Sequence, residues 1–331
     1  MGSFFAYISF LKSQKMKQLF ILLLGIACQI CLSQTVQNKH RPAKGVKLIV
    51  LGNVQDAGSP QIGCQKVCCA DLWKHPQQDR KVASIGVTDY DLQKTYIFDA
   101  TPDFTQQVQL LHDHAGTPKK TAPDGIFITH AHIGHYTGLM YLGKEGMNSK
   151  NVPVYTMPEL KAFFENNGPW SQLVKLNNIS LREMQNEAPV QLSTNLEITP
   201  VQVPHRDEYS ETVGYLIKGP HKKALFIPDI DKWNKWKHNI TDFIKNVDYA
   251  FLDGTFYDAE EVGNRNLADI PHPFITESME AFKNLPQKER KKIFFIHFNH
   301  TNKLLQPYSE QSRQVLERGF NIARLGEEVE L

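Results

Sequence analysis

Three histidines lie within six positions of one another, in the segment His130-Ala-His132-Ile-Gly-His135. The segment follows the apolar run 125–129, which has the pattern of a buried strand. Neutral imidazole is the commonest nitrogen ligand for zinc and related divalent ions. Because a loop at the end of a strand can hold several rings close together, this spacing predicts a metal site.

Further polar residues follow apolar runs later in the chain. His205 follows the run 198–203, Asp229 follows Ala-Leu-Phe-Ile-Pro, and His297 follows Ile-Phe-Phe-Ile. A single His or Asp in such a place is typical of a turn or a cap. Four strand ends that all deliver His or Asp instead favour a shared pair of cations, whose usual chemistry is hydrolysis by activated water.

We therefore expect two neighbouring cation sites that share one ligand. Asp229 would also be catalytic, because a bridging carboxylate orients the attacking water. The expected ligands are, for the first cation, His130, His132 and His205, for the second, His135 and His297, and, as the bridge between them, Asp229.

Short β-type runs interleaved with helical stretches must position these residues. The predicted strands are 46–51, 95–98, 125–129, 152–156, 212–217, 224–227, 249–252 and 293–296. The predicted helices are 103–114, 158–166 and 274–284, and a hairpin is predicted over 190–203. Strands alternating with helices predict a layered α/β fold, and the sequence favours one catalytic domain over 34–331.

The composition excludes several function classes. Of 331 residues, 41% are hydrophobic and 22% charged, which is too apolar for a disordered chain. The formal net charge is +2 with no long basic run, so nothing indicates a nucleic-acid partner.

The order of these residues, Asp99, the histidine loop, His205, Asp229 and His297, resembles the metallo-β-lactamase fold superfamily. The resemblance extends from position 46 to the C-terminus. It implies an αββα four-layer sandwich, in which two sheets face each other with helices outside. It also implies hydrolysis of esters, lactones, thioesters or phosphodiesters with two metals, and it gives Asp99 the role of orienting the histidine loop.

Two groups within the superfamily share longer motifs with the chain. The segments 51–64, 98–103, 252–257 and 296–302 are similar to the B protein of pyrroloquinoline quinone biosynthesis. The cysteine cluster followed by His297-x-x-His300 resembles the cyclic phosphodiesterase of phosphonate breakdown, in which three Cys and one His hold a structural zinc.

Three cysteines within six residues are too crowded to form a disulfide framework, so they favour a metal. The alternative is three free thiols. The resemblance implies a structural zinc on Cys64, Cys69 and His300, with Cys68 as the fourth ligand. Both groups of relatives have a cysteine at the position that Lys66 occupies here.

Gly134 is the largest departure from the superfamily, which usually has an Asp ligand for the second metal there. Without that acid, the second site would keep two histidines and the bridging Asp229, and the enzyme would be mononuclear or would take iron or manganese. Asp207 and Glu208 are candidate substitutes, or are solvated loop acids. His272, between two prolines, is a candidate catalytic proton donor, or a turn histidine.

The N-terminus reads as a secretory signal peptide over residues 1–33. Three lysines precede the apolar run 19–27, and small residues follow at a spacing that a signal peptidase accepts. The alternatives are a retained membrane anchor, although about ten apolar residues are too few for a span of about 20, and a lipid-modified Cys28, although Gly25 lies where a lipobox has Leu. Export predicts a periplasmic or secreted protein with no stable membrane span after cleavage.

Three functions remain open. The first is an exported metal-dependent hydrolase, with zinc (or manganese or iron) in one or two catalytic sites and one structural zinc. Its substrate would be a small-molecule phosphodiester or cyclic ester, and a homodimer is allowed. The second is a role like that of the quinone-biosynthesis B protein, as an iron-dependent oxygenase or a carrier. The third is a non-enzymatic, metal-bound binding protein.

Overall fold

Seven strands form the first of two β-sheets in the computed structural model, which describes residues 44–117, 122–263 and 265–331. These strands are β1 (Val46–Gly52), β2 (Ser84–Asp89), β3 (Lys94–Phe98), β4 (Gly125–Phe127), β5 (Val152–Thr156), β6 (Ile179–Glu183) and β14 (Glu328–Glu330). Their order across the sheet is β14-β1-β2-β3-β4-β5-β6. Strands β3 to β6 run parallel to one another, whereas β14, β1, β2 and β3 pair antiparallel.

The second sheet also has seven strands. They are β7 (Val190–Gln191), β8 (Glu197–Gln202), β9 (Val213–Lys218), β10 (Lys223–Ile227), β11 (Tyr249–Asp253), β12 (Ile293–Ile296) and β13 (Asn321–Ile322), in the order β13-β12-β11-β10-β9-β8-β7. Strands β10 to β13 are parallel, and β7, β8, β9 and β10 form an antiparallel meander.

Helices cover the outer faces of both sheets. The helices of the described residues, not all of which lie on a sheet, are α1 (Val67–Ala70), α2 (Phe104–Ala115), α3 (Ile133–Tyr136), α4 (Pro158–Asn166), α5 (Trp170–Lys175), α6 (Ile240–Asn246), α7 (Ala259–Val262), α8 (Ile275–Ala281), α9 (Gln287–Arg290) and α10 (Glu310–Glu317). Helices α2, α4 and α5 pack on the first sheet, and α6, α8 and α10 pack on the second. In the part of the chain that the structure describes, no helix is both long and apolar enough to cross a membrane.

The core lies in three layers because apolar side chains alternate along the strands. In β3, Phe98 points between the sheets, whereas Ile97 points toward the helices. The ring of Phe98 meets Tyr215 of the second sheet at a centroid distance of 5.2 Å. The result is the predicted αββα sandwich.

The carboxyl ends of seven strands meet at one edge of the two sheets, which is where the site lies. Strands β1, β3, β4, β8, β10, β11 and β12 all point the same way within their sheets, as their pairing requires. Loops leaving that edge carry polar side chains that the strands themselves would not accommodate.

The predicted elements agree with the structure, apart from their ends and some short strands. Strand β4 ends at Phe127 rather than at 129, because Thr129 leaves the ladder to bond Asp99. The strand Ser84–Asp89 was not predicted, because four of its six residues are small or polar and all six are buried, so it shows no alternating pattern. The predicted signal peptide lies outside the described residues.

Candidate metal centre

The histidine loop leaves the end of β4 and is held from below by Asp99. The carboxylate of Asp99 accepts a hydrogen bond from the backbone N–H of Thr129 at 2.8 Å and lies 2.7 Å from Nδ1 of His135. Asp99 itself has a positive φ of 68°, which turns the chain at the end of β3. Because Nδ1 of His135 is engaged, its Nε2 faces the centre of the site.

The first group of candidate ligands contains His130, His132, His205 and Asp229. One ligand atom from each lies within 4.8 Å of the others. The Asp229 carboxylate is 3.5 Å from Nε2 of His130 and 3.3 Å from Nε2 of His205. The structure thus brings together the four residues expected around the first cation.

The second group contains the expected His135, His297 and Asp229, and also Asp56. One ligand atom from each of these four lies within 4.8 Å of the others. Asp56 Oδ1 is 3.0 Å from Nε2 of His297 and 3.5 Å from Nε2 of His135. Asp229 Oδ2 lies 3.8 Å from Nε2 of His135, so its carboxylate belongs to both groups.

The donor atoms of both groups fit a divalent cation. The Nε2 atoms of His130, His135 and His205 are buried and have no hydrogen-bond partner, and the same holds for Oδ1 of Asp229. Buried polar atoms normally have partners, since leaving one unpaired costs about 1–3 kcal/mol. Imidazole nitrogens and carboxylate oxygens are donors that zinc, manganese and iron accept.

The electrostatics of the site keep His130 and Asp229 in the forms that bind cations. Burial lowers the pKa of His130 well below its usual value, which keeps that imidazole neutral. Burial by itself would raise the pKa of Asp229, but the surrounding histidines, His205 first among them, outweigh it and hold that pKa well below its usual value. A neutral imidazole beside an ionised carboxylate is the state in which both are ligands.

His272 lies against the bridging acid at the edge of the site. Its Nδ1 is 2.8 Å from Asp253 Oδ2 and 3.0 Å from Asp229 Oδ1, and its side chain is 10% exposed. Asp253 is fixed in turn, because it accepts hydrogen bonds from the backbone N–H groups of Ile230 and Thr255. The structure therefore places the predicted proton donor beside Asp229.

The cysteine cluster forms a separate group. One ligand atom from each of Cys64, Cys68, Cys69 and His300 lies within 4.8 Å of the others. The Sγ atoms of Cys64 and Cys68 are 3.9 Å apart, as are those of Cys68 and Cys69. All four predicted ligands are thus adjacent, and their spacing suits one tetrahedral ion with thiolate and imidazole donors.

A family model described as the beta-lactamase superfamily domain matches residues 94–298. The chain belongs to the metallo-β-lactamase superfamily. Among curated relatives, coenzyme PQQ synthesis protein B of Methylorubrum extorquens (strain PA1) is 24% identical over 302 residues, covering 84% of this chain and 98% of the relative. The same protein of Xanthomonas euvesicatoria is 25% identical over 320 residues, covering 86% and 100%.

Solved structures of the superfamily share the fold. Zinc-bound PqqB from Methylobacterium extorquens superposes with a TM-score of 0.70 at 20% identity, covering 86% of this chain and 100% of that one. A diphosphatase of the PhnP family gives a TM-score of 0.58 at 22% identity, covering 87% and 97%. At these identities the likeness establishes the architecture only.

One expectation that followed from Gly134 was wrong, and of the two alternatives for Asp207 and Glu208 the structure agrees with exposed loop acids. The second group of donors is not limited to two histidines and the bridging acid, because Asp56 joins it. Neither proposed substitute lies in that group: Asp207 accepts a hydrogen bond from Thr212 at 2.9 Å, and Glu208 contacts His132 at 3.2 Å with its side chain 50% exposed.

Sequence reasoning missed Asp56, although one signal was available. Asp56 comes four residues after the end of β1, so it is another acid at the carboxyl end of a predicted strand.

Proposed function

We propose that the protein is an exported metal-dependent hydrolase that acts on a small-molecule phosphodiester or cyclic ester. The observation that carries the proposal is the shared carboxylate of Asp229, which joins two groups of buried donors at one edge of the sandwich. Export is supported by the N-terminal sequence described above.

The residues of each group would hold one divalent cation. His130, His132 and His205 would bind the first, His135 and His297 the second, and Asp229 both. Such cations make water acidic enough to attack near neutral pH and polarise the oxygen under attack.

The chain's own residues would supply orientation and protons. Asp99 fixes the Nδ1 proton of His135, and the hydroxyl of Thr255 contacts Nδ1 of His297 at 2.9 Å, so each ring presents Nε2 to the site. His272 would donate a proton to the departing oxygen from Nε2, since Asp253 holds its Nδ1. Because two backbone N–H groups anchor Asp253, Asp253 and His272 would keep their orientation while His272 gives up its proton.

A second candidate is a role like that of coenzyme PQQ synthesis protein B. It is favoured by the extent of the match, because the chain aligns with 98–100% of those relatives. The two groups of buried His and Asp donors are equally compatible with iron.

Purified protein reconstituted with Zn²⁺, Mn²⁺ or Fe²⁺ distinguishes these functions. We expect turnover of bis(4-nitrophenyl) phosphate with at least one cation, and none in His132→Ala. Oxygen consumption with iron, and no hydrolysis with any cation, would favour the second candidate. Cations bound tightly with neither reaction would indicate a binding protein.

A further inference from the structure

We propose that Asp56 is the carboxylate ligand of the second cation, in the place that an acid at position 134 usually fills. The inference rests on the proposed cation pair and adds a ligand that comes from a different loop. With Asp56, each group has four side-chain donors, counting the shared Asp229 in both. The second site is then complete despite the glycine.

The first support is the position of the carboxylate. Oδ1 of Asp56 is 3.0 Å from Nε2 of His297 and 3.5 Å from Nε2 of His135. Only 15% of the Asp56 side chain is exposed, and the Nε2 atom of His135 is buried without a hydrogen-bond partner. A carboxylate beside a buried imidazole nitrogen that has no hydrogen-bond partner is the arrangement expected of two ligands that share a cation.

The second support is steric. A Cβ atom on residue 134 would lie 2.1 Å from Cβ and 2.6 Å from Cα of Asp56. Non-bonded carbon atoms do not approach that closely, so no side chain at position 134 is compatible with Asp56 where it lies. A side chain at position 134 and Asp56 in this position therefore exclude each other, and the loop that carries Asp56 requires Gly134.

The third support is the way in which the backbone holds Asp56. Gln55 N–H donates to the carbonyl of Phe298 at 2.8 Å, and Val54 forms a bridge with the same residue. Gln55 also donates from its side chain to Oδ1 of Asp56 at 3.1 Å. Because Phe298 directly follows His297, the acid and the imidazole are delivered together by paired segments.

Asp56→Asn tests the assignment while keeping the side-chain shape. The full chain is stripped with a chelator, reloaded with zinc and analysed for bound metal, and the dimanganese form is examined by electron paramagnetic resonance. We expect one zinc equivalent fewer than in wild type, an affinity for the second cation lower by about 100-fold or more, and loss of the exchange-coupled manganese signal. Asp71→Asn, an exposed acid of the same loop region, is the control and should bind as wild type.

Gly134→Ala tests the steric argument without touching any donor. Its methyl group should displace Asp56 and remove the same cation, while circular dichroism stays native.

Full zinc content and affinity in Asp56→Asn would overturn the assignment, and so would a coupled manganese signal in Gly134→Ala. Failure of the proposed function is a different result: wild-type protein would hold both cations and the variants would lose one, yet no phosphodiester would be hydrolysed.

Discussion

The strand-end cluster (Asp56, His130, His132, His135, His205, Asp229 and His297) and the cysteine cluster (Cys64, Cys68, Cys69 and His300) are built in opposite ways. The first draws its donors from loops after five strands of both sheets and buries most of them. The second takes three of its four donors from one stretch of six residues, and only Cys69 among its cysteines is fully buried.

The difference indicates that the first cluster depends on the sandwich and the second on a single loop. They are nevertheless connected. Asp56 and Cys64 lie on the loop that leaves β1, whereas His297 and His300 lie on the segment that leaves β12. The loop after β1 and the segment after β12 therefore each contribute one or more donors to both clusters.

The largest expected effect comes from Asp229→Asn, which disturbs the strand-end cluster alone. Because Asp229 is shared, we expect the affinity of both of its cations to fall by about 100-fold or more, with hydrolysis reduced to background. Metal analysis should find the cysteine-bound zinc retained. Asp242→Asn, an exposed acid, is the control, and loss of all three zinc equivalents would contradict a cysteine cluster that depends on a single loop.

His272→Gln separates chemistry from cation binding within the strand-end cluster. A proton donor contributes about 10²–10⁴-fold, so kcat should fall in that range for an alkyl leaving group. The loss should be much smaller for nitrophenolate, which needs no proton, and zinc content should be unchanged. An equal loss for both leaving groups would show that His272 has only a structural role. His238→Gln, a partly exposed histidine paired with Glu187, is the control.

Cys69→Ser measures how strongly the cysteine cluster supports its neighbour. We expect the loss of one zinc and of the cobalt–thiolate absorption in the cobalt-substituted protein. Because the same loop carries Asp56, affinity for the second strand-end cation should also fall, by about tenfold. Wild-type affinity for that cation in Cys69→Ser would show that the cysteine cluster does not support Asp56.

Glu261 lies beside the cysteine cluster, and its effect is on the stability of the fold rather than on cation binding. Burial raises its pKa from 4.5 to about 7, although it accepts hydrogen bonds from Thr301 Oγ1 and the Tyr257 N–H. Between these pH values the folded state holds a proton that the unfolded state has lost, so stability decreases as pH rises through that window. The decrease attributable to Glu261 is about 3 kcal/mol at most.

Glu261→Gln should remove this decrease. Urea unfolding of both proteins at pH 5 and pH 8 measures it, with the exposed Glu260→Gln as the control. An identical pH dependence in Glu261→Gln and wild type would exclude Glu261 as its source.

Much of the fold and most of the strand-end cluster could be predicted from local patterns. Buried runs such as Ile293–Ile296 are recognisable by composition, and a His or Asp directly after such a run marks the edge where parallel strands end. The three clustered cysteines could equally be recognised as candidate metal ligands from the sequence. Short strands such as Asn321–Ile322 were not predicted, because two residues carry no periodicity and pair only where the sheet already exists.

The sequence by itself determined which residue types were present and that position 134 had no acid. Only the tertiary structure decided where the missing carboxylate comes from. Asp56 and Gly134 are 78 residues apart, and their proximity depends on the pairing of β1 and β4 through the intervening strands and on the bond from Gln55 to Phe298. No local pattern encodes a contact of that kind, because it arises from packing between distant segments rather than from the preferences of either one.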